Sequence, residues 1–221
     1  MKIVGLCSSP RGKKSATAAL VKEGLLGAES KGAKTEFIDL GKKKLKFCKG
    51  CGFCYKKGRC VHKDDFEEIF DAILKSDGII LGSPNYINSV SAQMKVFLDR
   101  LADSIHCQRF TGKYGFSVST AGGSKSDLVA GYLNDTLQVL GANTTGLIGA
   151  DIGADPERFD NAKKEAFTLG EKLTDAITTR KTWPKQEKIH AEMKERMKYL
   201  VSQNKDEWVH EYSYLKKQGW L

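Results

Sequence analysis

The 221-residue chain predicts an α/β fold: a doubly wound sheet of five parallel strands, ordered 2-1-3-4-5, followed by a C-terminal helical extension. Three observations carry that expectation. Short β-branched runs alternate with helical patterns over the first two-thirds of the chain. A hydroxyl-rich turn joins the first strand to the first helix. After Trp183–Pro184 the alternation gives way to a charged stretch with one apolar helical stripe.

Lys2–Cys7 reads as a buried first strand, with Cys7 as a small hydrophobe rather than a ligand. A helix starting near Ser15 carries Ala19, Leu20, Leu25 and Leu26 until Gly27 and Gly32 loosen it. Lys34–Leu40 is the second strand. Beyond a cysteine-rich loop, Asp64–Asp65 open a helix whose Phe66, Ile69, Phe70, Ile73 and Leu74 share a face. Asp77–Ser83, Tyr114–Thr120 and Asn143–Gly149 follow as strands, with helices over Ala92–Asp103, Ser124–Leu140 and Pro156–Thr179. Residues 1–182 therefore form one domain with residues 48–60 inserted as a loop, and 183–221 its extension. In the extension Ile189, Met193, Met197, Leu200 and Val201 share a stripe suited to docking on the parent domain or a second subunit.

No apolar run approaches membrane-spanning length, and MKIVGLCSSP is too soon interrupted for a signal peptide. Six cysteines without an export signal imply a reducing compartment, hence the cytoplasm. Nine basic residues and no acidic one lie between Leu40 and Lys63, and they account for the whole net charge of +9. Positive surroundings favour thiolates and steer acidic partners toward that loop. Thin aromatic interleaving and the lack of any recognition motif argue against nucleic acid.

Within that basic stretch Cys48, Cys51, Cys54 and Cys60 are spaced C-x2-C-x2-C-x5-C. Four thiolates on one short loop suit a [4Fe–4S] cubane, and Gly50, Gly52 and Gly58 supply the turns it needs. Zinc knuckles space two C-x2-C pairs a dozen or more residues apart, so zinc is the lesser alternative; free surface thiols are the plain one.

The first strand runs into Ser8-Ser9-Pro10-Arg11 and on through Ser15-Ala16-Thr17 to a helix. Hydroxyls, a guanidinium and free N–H groups at a helix start form a phosphate cradle. Neither a Walker A loop nor a G-x-G-x-x-G turn is present, and a loop with few glycines suits a terminal monophosphate such as that of FMN. At the switch point of such a sheet, the loop Pro84-Asn85-Tyr86-Ile87-Asn88 offers a ring and amides to a flat heterocycle. Thr120-Ala121-Gly122-Gly123 lets backbone approach it. The cysteine loop, following the second strand, is expected at the same carboxyl edge. His106 and Cys107 are read as surface or subunit-contact residues, and no dedicated side-chain acid or base is expected.

With these loops in place the chain resembles the flavodoxin-like NAD(P)H-dependent FMN reductases, and within them the iron–sulfur flavoproteins of anaerobic microbes. The resemblance spans roughly the first 150 positions, and its most specific part is the cysteine spacing. It implies that Ser9, Arg11, Ser15 and Thr17 hold the FMN phosphate. Pro84, Asn85, Tyr86 and Asn88 would border the isoalloxazine, and the four cysteines would carry the cluster. It also implies dimers or dimer pairs that bring clusters near flavins of neighbouring subunits.

The reading is an electron-transfer flavoprotein, an FMN-dependent oxidoreductase passing electrons between a [4Fe–4S] cluster and FMN. Its partner would be NAD(P)H or an acidic carrier such as a ferredoxin. One alternative is an NAD(P)H-dependent FMN, quinone or nitro reductase without a cluster. Another is a zinc-stabilised interaction module with no flavin.

Overall fold

A computed structural model describes residues 1–153 and 155–221. Its sheet is β1 (Lys2–Cys7), β2 (Lys34–Asp39), β3 (Gly78–Pro84), β4 (Tyr114–Ala121) and β5 (Asn143–Asp151), all parallel, in the order β2-β1-β3-β4-β5. β3 and β4 are buried along their whole length, because helices cover both faces of the sheet. Adjacent residues of one strand therefore feed opposite cores. Val4, Leu6, Ile79 and Leu81 pack beneath α3 (Phe66–Leu74), α4 (Ala92–Asp99) and α6 (Ser126–Val139). Ile3, Ile80, Phe116 and Val118 pack beneath α1 (Ala16–Ser30) and α7 (Pro156–Thr179).

Three expectations about helices change. Ala92–Asp103 is two helices, α4 and α5 (Ala102–His106), broken at Arg100–Leu101. Arg100 ends the first so that its side chain can reach the cysteine loop. Gly27 does not loosen α1, which runs on to Ser30; a Cβ there would meet the carbonyl oxygen of Phe167 at 1.9 Å, so the residue is the contact point with α7. A five-residue helix, α2 (Phe53–Lys57), forms inside the cysteine loop between Gly52 and Gly58.

The extension folds back on the parent domain as α8 (Pro184–Gln203) and α9 (Val209–Lys217). The side-chain amide of Gln186 pairs with both backbone groups of Thr144, accepting from its N–H at 2.7 Å and donating to its carbonyl at 2.9 Å. That occupies the free edge of β5 at Thr144. Val201 and Leu215 bury Cys107 from above, so Cys107 is fully enclosed and burial pushes its thiol up. His106 stacks on Trp208 at 4.7 Å and 9° and contacts the fully buried Glu211 at 3.0 Å. Cys107 is not at the surface and His106 is largely covered; the tail supplies their cover. Cys7 is buried as expected, its thiol pushed up to about 11 by desolvation.

Candidate functional site

The strand-to-helix turns at the carboxyl ends of β1, β3 and β4 converge on one cleft of about 130 Å³. Ser9, Arg11, Ser15, Ala16 and Thr17 line it from the first turn, Pro84, Asn85 and Tyr86 from the third strand's loop, and Thr120, Ala121 and Gly122 from the fourth. Ser15 caps α1 by accepting from the N–H of Ala18 at 3.0 Å. The N–H groups of Ala16 and Thr17 precede the first intrahelical bonds and stay free for an anion. Hydroxyls stitch the loops together. Thr17 Oγ1 and Thr120 Oγ1 share a 2.6 Å bond, and Ser91 Oγ reaches Ser8 Oγ at 2.8 Å.

Asn85 Nδ2 donates to the Ser124 carbonyl at 2.9 Å, while its buried Oδ1 has no partner among the described residues. A buried acceptor without a donor is costly, and here it borders the cleft. An edge N–H of a flat heterocycle fits it. No carboxylate, histidine or lysine lines the cleft among the described residues.

Two expected members stand outside this lining. Ile87 and Asn88 are the left-handed corner of a tight hairpin, with φ of 53° and 58°, closed by reciprocal bonds between Tyr86 and Ser89. Asn88 borders a separate groove with Leu128 and Tyr132. Gly123 lies beyond the lining. Two members went unforeseen: Ile152 and Gly153, from the loop after β5. That loop carries no polar motif, and only the alignment of strand ends brings it to the cleft.

The cysteine loop is closed at its neck. Asp64 accepts from the Lys46 N–H at 2.8 Å, Asp65 from the Lys44 N–H at 2.7 Å, and His62 Nε2 meets the Phe47 carbonyl at 3.0 Å. All four cysteines lie between these ties. Gly50, Gly52 and Gly58 adopt φ of 61°, 65° and 70°, the left-handed turns a coordinating loop requires. All four thiols are free, Cys48 and Cys51 exposed, Cys54 and Cys60 half-buried.

The loop does not stay on the carboxyl rim as expected. Leu45 and Cys60 pack on the core beneath α3 and α4, which draws the loop down that face. Cys54 and Cys60 line a cavity of about 120 Å³ with Phe66, Phe70 and Leu74 of α3 and with Arg100, Asp103 and Arg109. Leu74 and Arg109 shortly precede β3 and β4, so this cavity reaches toward the amino ends of the strands. Among the described residues none lines both it and the cleft.

The charge of the loop also differs from expectation. Eight of its nine basic side chains are exposed to solvent, and of the nine only Arg59 lines the cysteine cavity among the described residues. The Cys54 thiol is pushed up to about 12, first by burial and then by the carboxylates of Asp103 and Glu211. A cation bound by the thiol, rather than the lysines, would be needed to displace its proton.

Arg100 sits against Cys60 with its side chain fully buried. Its Nη1 donates to Asp64 at 2.7 and 2.9 Å, and the guanidinium lies 4.2 Å from the Phe66 ring. Nε and Nη2 are buried without an acceptor. Four free thiols on one closed loop, two of them in a cavity with an unsatisfied cationic donor, fit an anionic iron–sulfur cluster.

The tail supports this arrangement from outside. Tyr55 packs on Trp208 at 4.9 Å and on His106 at 5.0 Å, and a Cβ at Gly58 would meet the His210 ring at 2.3 Å. Asp103, Cys107 and His210 also approach one another closely enough to suggest a second metal site. Arg109 already fills that role, donating to Asp103 Oδ2 and His210 Nε2, both at 2.9 Å.

The Asp64–Arg100 pair gives a stability prediction. Asp64→Ala leaves a buried guanidinium uncompensated and should cost about 3–5 kcal/mol in urea unfolding. A loss under about 1 kcal/mol would contradict the pair's role as the loop's lock.

Comparison with known proteins agrees with this geometry. Residues 1–151 match the family model of the NADPH-dependent FMN reductases. An iron–sulfur flavoprotein of Archaeoglobus fulgidus is 34% identical over 100% of both chains. Another, from Methanocaldococcus jannaschii, is 33% identical over 80% of this chain and 97% of its own. Among solved structures, an NAD(P)H:quinone oxidoreductase from Methanothermobacter marburgensis superposes with a TM-score of 0.62 at 19% identity, covering 78% of this chain and 96% of that one. An archaeal flavodoxin does so at 0.56 and 16% identity, covering 80% and 99%. The chain belongs to the NADPH-dependent FMN reductase family, with its iron–sulfur flavoproteins, and is an FMN-dependent oxidoreductase.

Proposed function

We propose that the protein carries one FMN in the cleft and one [4Fe–4S] cluster on Cys48, Cys51, Cys54 and Cys60, and passes electrons between them. The observation that carries this reading is the closed, glycine-turned loop that bears four free thiols, two of which line a cavity with Arg100. The names of the Archaeoglobus and Methanocaldococcus relatives support it.

Bound FMN exchanges a hydride or single electrons, and a cluster exchanges one electron at a time. The chain's residues bind and orient. Ser9, Arg11, Ser15, Ala16 and Thr17 would hold the phosphate by hydroxyl, guanidinium and helix-start N–H groups. Pro84, Asn85 and Tyr86 would flank one side of the ring and Thr120, Ala121 and Gly122 the other, with Asn85 Oδ1 accepting from a ring N–H. With no carboxylate, histidine or lysine lining the cleft among the described residues, protons on the flavin would be exchanged with water.

Electrons would arrive from NAD(P)H or an acidic carrier such as a ferredoxin, which the exposed lysines of the cysteine loop suit. The chain would act in the cytoplasm as a homodimer or homotetramer. Since the cysteine cavity extends away from the cleft of its own chain, a neighbour's flavin is the natural partner of each cluster.

One anaerobic preparation tests the reading. Broad brown absorbance with about four irons and four acid-labile sulfides per chain, together with one flavin, is expected. Flavin bands alone would favour a cluster-free NAD(P)H-dependent FMN, quinone or nitro reductase. Separately, Arg11→Ala removes a charge-assisted phosphate contact and should weaken FMN binding about tenfold or more by fluorescence titration. Unchanged affinity would overturn the placement of the phosphate.

A further inference from the structure

Arg100 presents an anomaly that the ion pair with Asp64 does not resolve. A guanidinium has five N–H donors in a fixed fork. Nη1 serves both oxygens of Asp64, at 2.7 and 2.9 Å, with the Lys46 carbonyl at 3.4 Å. Nε and Nη2 stay buried with no acceptor, although the side chain is 0% exposed. The guanidinium carbon lies 4.2 Å from the centre of the Phe66 ring, and the unused donors lie in the plane of the fork. Arg100, Cys54 and Cys60 line the same cavity.

The other arginines of this cavity are not equivalent. Arg109 is spent on Asp103, His210 and the face of Tyr214. Arg59 is exposed to solvent. Burial opposes the charge of Arg100, and its pairing with Asp64 together with its contact with Cys60 outweighs that cost.

We propose that Arg100 is a positioning residue for the cluster, its Nε and Nη2 donating to the Cys60 sulfur and the adjoining cluster sulfide. This rests on the cluster assignment above. Asp64 fixes the fork from behind and Phe66 fixes its plane, so the donors are held in place before the cluster assembles. Hydrogen bonds to ligand and inorganic sulfur stabilise the more negative, reduced cluster, and the consequence is a raised reduction potential.

The test begins with iron and sulfide assays on the reconstituted wild type. A chain without iron refutes the cluster assignment, and this inference with it. A loaded wild type isolates the role of Arg100. Arg100→Lys keeps the charge and loses the fork; Arg100→Met loses both. In EPR-monitored titrations both variants should show a lower cluster midpoint potential than wild type, with flavin content and flavin midpoint unchanged. An unchanged cluster midpoint in both loaded variants overturns the proposal and leaves Arg100 as a structural partner of Asp64. Should the variants fail to fold or to hold iron, wild type labelled with guanidino-15N arginine decides the matter. Pulsed EPR of its reduced cluster should show 15N coupling that persists in Arg59→Lys; absence of that coupling overturns the proposal.

Discussion

Gly170→Val is expected to lower the melting temperature by roughly 10 °C or more, from a cost of about 3–5 kcal/mol in a domain this size. A Cβ at Gly170 would lie 1.9 Å from the Gly24 carbonyl oxygen and 2.9 Å from the Ala28 nitrogen. These are backbone atoms of α1, and no rotamer change can move them. The helices would have to separate, pulling Leu20, Val21 and Leu25 away from Leu169 and Leu173 in the core beneath them. Gly131→Ala is the control. It lies inside α6 with nothing near its Cβ position, so the change should stabilise by about 0.5–1 kcal/mol. Circular-dichroism melts of both variants suffice, and a Gly170→Val melt within a few degrees of wild type would refute the close crossing.

Cys51→Ser should remove the brown absorbance while FMN stays bound at one per chain. Cys51 is an exposed thiol of the loop, so the substitution disturbs little packing. Among the described residues the cleft and the cysteine cavity share no lining residue, which is why flavin binding should survive. Loss of brown colour and flavin together would mean that the loop chiefly supports the domain. Retained iron and sulfide would remove Cys51 from the ligand set.

Local chemistry made much of this legible. The start of a helix near Ser15 was legible because an apolar helical pattern begins there, and the Ser15 hydroxyl does cap it by accepting from the Ala18 N–H. Gly50, Gly52 and Gly58 could be read as turns because only glycine tolerates such φ values cheaply. The loops at three strand ends were assigned to one cleft because parallel strands send their carboxyl ends to one edge. Most residues named from them do line it.

What escaped the sequence depends on atoms far apart in the chain. Ile152 and Gly153 have no chemistry of their own that marks them, and only β5's place beside β4 brings them in. Gly27 looks like a helix weakener until α7 is found crossing against it. Charge counting put lysines around the thiols, yet long side chains turn their charges into water while Asp103 and Glu211 remain beside Cys54. His106 and Cys107 gave no sign of burial, because their cover comes from Val201, Trp208 and Leu215, about a hundred positions later.

By itself, then, the sequence determined the strand order, the cleft-forming loops, the four thiols and their turns. All of these follow from hydrophobic periodicity and from conformational limits acting over a few residues. Tertiary structure alone decided where the cysteine loop lies, what its thiols feel and why Arg100 ends a helix. Burial, pairing and field are properties of neighbours in space, and the chain must fold before those neighbours exist.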